Sequence, residues 1–247
     1  MNKFILTALG LSLFIGSAQA TTLIGVVGYE SAQTVDKQAT KKERQQVETL
    51  FRAVGFDFLG LNWDNTLAAK WNREGKISVA RNWGYGYWDD NYGLSVDLIK
   101  GDWSGQGPQI GALGIAYKNT WDGFSLRINP TLATIDNKTT SGRITDNGAQ
   151  LNVKMDYQFN DRISATFHPQ YAYWNSDALG STLKAEFNVT ANLTEDKRHK
   201  LMLVHERFAA NNRGTGMKTR YIGENSPIGG YVAGTESTVK LRYAYIF

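Results

Sequence analysis

From Thr238 to Phe247 the chain alternates strictly, with Val239, Leu241, Tyr243, Tyr245 and Phe247 on one face and Thr238, Lys240, Arg242 and Ala244 on the other. A period of two sends successive side chains to opposite sides of a strand, so this segment has one apolar and one wet side. In a soluble sheet the apolar side faces a core. Here it ends in two tyrosines and a C-terminal phenylalanine, residues that also suit the boundary between hydrocarbon and water.

The other end of the chain separates these settings. Met1 to Ala20 carries one lysine, Lys3, then an apolar stretch from Phe4 to about Ile15, then the small-residue exit Ala18-Gln19-Ala20. These are the three parts of a cleaved secretory signal peptide, and the apolar centre is too short for a spanning helix. Residues 21–247 then form the mature chain, read as one domain because no Pro/Ser linker or change of composition divides it. Without cysteine, disulfide scaffolds, thiol nucleophiles and Cys-ligated metals are excluded. The formal charge of +4, spread over many charges of both signs, gives no nucleic-acid footprint. A polar, exported chain with 12% aromatic residues contradicts a helical membrane protein. It is the expected composition of a barrel, in which every second strand residue faces water.

Alternating segments recur through the mature chain at 22–30, 44–53, 56–64, 76–88, 92–100, 109–118, 124–135, 149–159, 162–174, 182–193, 199–210 and 236–247. The second also fits a helix face through Val47, Leu50, Phe51 and Val54. Gly, Asn and Asp at the joints, as in Val54-Gly55, Asp89-Asp90-Asn91 and Asn160-Asp161, are what hairpin turns need. The joints alternate between short and mostly longer. A sandwich has no reason for that rhythm, whereas an up-and-down barrel with turns at one end and loops at the other does. The expected fold class is all-β: a single antiparallel up-and-down transmembrane β-barrel of about twelve strands, with short periplasmic turns and longer external loops, in the cell outer membrane.

The alternation also sorts the side chains. Leu151, Val153, Met155 and Tyr157 oppose Asn152, Lys154, Asp156 and Gln158; Leu183, Ala185, Phe187 and Val189 oppose Lys184, Glu186, Asn188 and Thr190. Charged groups do not face hydrocarbon cheaply, so the second set of each lines the lumen. Trp83, Tyr85, Trp88, Tyr92, Trp121, Tyr157, Phe159, Tyr173, Trp174, Tyr243 and Phe247 cluster near strand ends and are expected in the aromatic girdles. Arg81 and Glu206 fit their apolar neighbours badly, which predicts a bulge or a shifted register there.

Local stretches resemble the small monomeric twelve-stranded porins for oligogalacturonate and related acidic oligosaccharides. They are Tyr29-Glu30 with Lys42-Glu43-Arg44, the run Phe51 to Phe58, Tyr157 to Tyr171 with its Asn160-Asp161-Arg162 turn, and Leu241-Arg242-Tyr243 before Phe247. The resemblance implies a monomer in outer-membrane lipid, assembled by machinery that reads Phe247. It also implies an anionic or oligosaccharide solute carried past fixed positive charge. Candidate pore-lining, substrate-binding bases are Arg52, Arg127, Lys154, Lys184, Lys240 and Arg242, which would relieve the desolvation of sugar carboxylates. Glu48, Asp57, Asp97, Asp156 and Glu186 are expected in the same interior, so selectivity should be modest, and pairing across a narrow barrel is the competing role for all these charges.

No reaction site emerges from the sequence. His168, His199 and His205 lack a serine at a triad spacing, Asp89-Asp90 lies in a turn, and the paired glycines near 84 and 105 precede no helix. Neither catalytic residues, a cofactor nor a metal is expected. Two functions remain open: a passive channel for small hydrophilic solutes, and a closed barrel acting through its external loops in adhesion or surface structure. Twelve strands favour the channel, because barrels of about eight are filled by their own side chains.

Overall fold

The computed structural model describes residues 22–34, 43–101, 107–139, 142–177, 179–211 and 234–247. The expected export signal and nearly all of the expected last external loop lie outside them. Twelve strands follow in chain order: β1 (Thr22–Thr34), β2 (Glu43–Phe58), β3 (Leu61–Trp71), β4 (Ile77–Tyr87), β5 (Tyr92–Gly101), β6 (Gly107–Trp121), β7 (Phe124–Thr139), β8 (Gly142–Gln158), β9 (Ile163–Trp174), β10 (Ser181–Asn192), β11 (His199–Asn211) and β12 (Gly234–Ile246). Each pairs antiparallel with its sequence neighbours, and β1 pairs with β12 to close the barrel, Tyr29 opposite Leu241. Closure leaves no open edge, so every strand finds its backbone partners within the barrel, the condition for crossing hydrocarbon.

The faces of β8, β10 and β12 are as the alternation predicts. Leu151, Leu183, Phe187, Val239 and Leu241 are exposed on the outside, while Asn152, Asn188, Thr238 and Lys240 are buried on the inside. An apolar exterior around a polar interior is the inverse of a soluble protein and marks the barrel as transmembrane. Because the chain has no native cysteine, the register can be tested directly. Cysteines at Lys154 or Lys184 should react with small water-soluble thiol reagents through the lumen, and cysteines at Val153 or Phe187 should not; the opposite pattern would place every face one residue out.

The second segment is a strand, not a helix, and it runs past the expected turn. Gly55, at φ 75°, is a bulge between the paired residues Val54 and Phe56, and the hairpin closes at Leu59 and Gly60, both at positive φ. Two consecutive left-handed residues make the two-residue turn whose twist matches its strands. β3 therefore begins at Leu61, and the loop expected at 65–75 shrinks to residues 72–76. Likewise β7 and β8 continue through most of the expected 136–148 loop. In the β4–β5 turn the backbone N–H groups of Tyr92 and Asn91 donate to Asp89, which holds that carboxyl below its usual range. Its role there is structural, as the turn composition indicates.

β4 departs from expectation in its faces. Arg81, Trp83 and Tyr85 share one parity and line the interior, whereas Gly84 and Gly86 face outward beneath Trp63 of β3. A Cβ on Gly86 would meet the Trp63 ring at 2.5 Å, so the ring lies flat only because nothing projects there. Beside it Asn82 donates to Asn65 Oδ1 at 2.7 Å, pairing two polar side chains on the outer face. Trp83 and Tyr85 are thus not girdle residues, and neither is Trp174, which is buried inside; Trp88, Tyr92, Trp121, Tyr157, Phe159, Tyr173, Tyr243 and Phe247 are exposed on the outer surface as expected. No bulge accompanies Arg81 or Glu206: both sit in regular register, facing inward.

Candidate functional site

The interior encloses a cavity of about 1730 Å³. Its lining reaches from Arg73, Glu74 and Lys76, at the loop end, to Ile24, Ser164, Lys200 and Ile246, near the turn end. All six sequence-predicted bases, Arg52, Arg127, Lys154, Lys184, Lys240 and Arg242, line it. So do Glu48, Asp97, Asp156 and Glu186, but Asp57 does not. Past the bulge at Gly55, Asp57 pairs with Asn62 on the inner face but at the turn end, where it is exposed and accepts from Asn62 rather than lining the cavity.

One wall, formed by the neighbouring strands β10, β11, β12, β1, β2 and β3, carries a belt of ion pairs. Lys70 donates to both oxygens of Glu30 at 3.1 and 2.8 Å. Lys240 lies 3.0 Å from Glu206, 3.6 Å from Glu30 and 3.9 Å from Glu186. Lys184 reaches Glu206 at 3.5 Å, and Arg242 bridges Glu48 at 2.8 Å and Glu186 at 3.4 Å. The alternation of each strand sends these side chains inward, and the register places opposite charges on adjacent strands. Lys240 and Glu30 are almost entirely covered, so this part of the belt belongs to the wall rather than to the water column. Burying such charges is tolerable only because each keeps several partners.

Nearer the turns the pairing is local. Arg52 makes a two-pronged contact with Asp64, Nε to Oδ1 at 2.8 Å. Lys154 pairs with Asp156 at 2.9 Å, and Arg81 grips Asp97 at 2.9 and 2.6 Å. Arg127 differs from the other five predicted bases: among the described residues no carboxylate lies within 4.0 Å of it, and its guanidinium rests 3.8 Å from the centroid of the Tyr85 ring. Its Nε is buried without a hydrogen-bond partner. Arg81 likewise lies over Trp83 at 4.9 Å. Asn129, Thr131 and Asn152, buried polar residues of β7 and β8, extend this side of the lumen toward the loops.

The loop end is narrowed by an apolar cluster in which Leu179, Trp174 and Ile135 are fully buried with Ile110, Ala112 and Ala133. Ser176 anchors the segment carrying Leu179 by donating its backbone N–H to Asp146 at 2.8 Å. This cluster covers one side of the mouth.

Sequence reasoning missed Glu30, Asp64, Lys70, Lys200 and the inward aromatics Trp83 and Tyr85. Arg81 was the available signal for β4, since a base sharing parity with two aromatics marks their face as the wet one. Among the histidines, His205 lies on the outer face with Nε2 2.9 Å from Ser237 Oγ, a pairing hidden by 32 residues of separation. No carboxylate among the described residues bonds its other nitrogen, so the third member that fixes the tautomer of a catalytic histidine is missing. His168 contacts Gln170 in the lumen, and His199 packs on Tyr243 and Tyr245 at the turn end.

No protein-family model matches the sequence, and no curated protein is detectably similar to it. Its fold is shared with solved outer-membrane proteins. An outer membrane channel from Pseudomonas putida F1 superposes with a TM-score of 0.61 at 15% identity, over 92% of this chain and 95% of that one. The NanC porin gives 0.55 at 10% identity, over 90% and 98% of the two chains. The KdgM porin, in complex with disordered oligogalacturonate, gives 0.50 at 10% identity, over 89% and 98%. At such identities the likeness establishes the common barrel architecture; what passes through this one must be argued from its own lumen.

Proposed function

We propose that this protein is an outer-membrane channel for passive diffusion of small hydrophilic solutes, with acidic oligosaccharides as the class its lumen suits best. The observation that carries the reading is the polar cavity running from the loop-end residues Arg73 and Lys76 to Lys200 and Ile246 near the turns. A packed barrel interior would leave no such continuous space. Outer-membrane lipid surrounds the apolar band, the chain acts as a monomer, and Phe247, exposed after β12, is the handle that barrel-assembly machinery would read. The channel acts by admitting solutes rather than by transforming them.

Bases outnumber acids along the cavity, but most of both are paired, so the net field on a permeating ion is small and positive. In a salt gradient across a planar bilayer the open channel should therefore prefer anions modestly. Replacing Lys154 and Lys200 by glutamine should move the reversal potential toward cations while heat-modifiable gel mobility, the sign of a folded barrel, is kept. Cation preference in the unaltered protein would retain the channel and remove acidic sugars as its solutes. The competing reading, a closed barrel acting through its loops, draws on the Leu179 cluster at the mouth; it requires that no current flow at all.

A further inference from the structure

We infer that Arg127 is the carboxylate anchor of the channel, a single binding subsite for an acidic sugar residue rather than one member of an extended basic row. The inference rests on the channel reading above and names the site within it. The predicted bases other than Arg127 are neutralised by the barrel itself, as Arg52 is by Asp64, Lys154 by Asp156, and Lys240 by Glu30 and Glu206. A base already gripped by a carboxylate offers a passing anion little, because binding must first displace or share the resident partner.

Among the described residues Arg127 has no such partner. Its guanidinium is held over Tyr85, 3.8 Å from the ring centroid, and is hydrogen-bonded to Tyr87, contacts that fix the plane of the fork and leave Nε–H unpartnered. The buried, unpartnered Nε is an unsatisfied donor of the kind that a ligand carboxylate would relieve. The cavity that Arg127 lines is also bounded by Ser95 of β5, a short polar side chain. Thr131, four residues along the same face of β7, has a buried hydroxyl without a hydrogen-bond partner, and Asn129 and Asn152 face one another across β7 and β8. A sugar bearing one carboxylate and several hydroxyls matches that set: a planar cationic fork at one point and neutral polar groups within the next turn of the lumen. Lys200 also lines the cavity and, among the described residues, has neither a carboxylate bound nor an aromatic support; it lies near the turn-end rim, which suits attraction of anions rather than their retention.

Single-channel recording with trigalacturonate and the neutral maltotriose as probes tests this. In the unaltered protein trigalacturonate should interrupt the current for longer than maltotriose does. Arg127→Gln should shorten the acidic sugar's dwell time about tenfold, the usual scale for losing one charge-assisted hydrogen-bonded pair. It should leave maltotriose unaffected. Arg127→Lys should restore part of the dwell time, since a point charge replaces the fork, and Lys197→Gln, in an exposed turn-end pair with Asp161 outside the cavity, should leave it unchanged. Gel mobility confirms that each variant is folded. An open channel whose trigalacturonate dwell time is the same with and without Arg127, or which trigalacturonate does not block, overturns the subsite and leaves the channel standing. Absence of any conductance in the unaltered protein overturns both.

Discussion

Replacing Lys240 by methionine is expected to cost the folded barrel about 3–5 kcal/mol, the usual consequence of removing one partner from a buried charge group. Lys240 is 3% exposed and serves Glu206, Glu30 and Glu186 together, of which Glu30 is wholly buried. Methionine fills the volume but leaves Glu206 with Lys184 at 3.5 Å and Glu30 with Lys70 at 2.8 Å as their remaining cations in the belt. Urea unfolding of the protein refolded into phospholipid vesicles, followed by tryptophan fluorescence, reads the loss as a lower midpoint. The double variant K240M/E206Q should recover much of it, because the stranded charge is removed with its partner. Lys76→Met, at a solvent-facing turn pair with Glu74, should leave the midpoint unchanged. Equal midpoints for K240M and the unaltered protein would mean that the belt is hydrated and contributes nothing.

An effect of comparable size is expected at Gly114. A Cβ there would fall on the carbonyl oxygen of Pro130 and within 2.7 Å of Thr131 Cα, so the obstacle is the backbone of β7 and not a movable side chain. Inserting side-chain volume into a packed site costs about 1–3 kcal/mol, and contact with backbone puts Gly114→Val at the upper end or beyond. The folded, heat-modifiable species should be largely lost. Gly111→Ala, three residues away, meets only side-chain carbons at 3.8 and 3.9 Å and should fold normally. Equal folding of the two variants would show that β6 and β7 are farther apart than described.

How much of this was legible in the sequence depended on whether alternation was interrupted. β8, β10 and β12 alternate cleanly, and their inward and outward residues follow from parity alone. β2 and β3 misled because Val54-Gly55 has the composition of a turn, whereas Gly55 supplies the positive φ of a bulge and the true turn places Leu59, a residue disfavoured in the left-handed region, at φ 54°. The displaced turn put Asp64 on the inner face of β3, opposite Val54, and left Asp57 beside Asn62 at the turn end, beyond the cavity. On β4 the aromatic residues were assigned by type, and type does not say which side of a sheet a ring is on; Arg81 did. The ion-pair partners were beyond reach for a different reason. Parity shows that Lys240 and Glu30 face inward, but that they meet depends on the closure of β1 on β12, a contact between the two ends of the chain. The isolation of Arg127 is likewise a property of its neighbours across three strands, not of the residues beside it in sequence.

The central claim is an open, water-filled lumen, and its most direct test is the conductance of the purified protein in planar lipid bilayers. The cavity predicts discrete, reproducible current steps in potassium chloride that scale with salt concentration and are modestly larger for anions than for cations. Membranes that take up heat-modifiable, correctly folded barrel and yet remain electrically silent would contradict it.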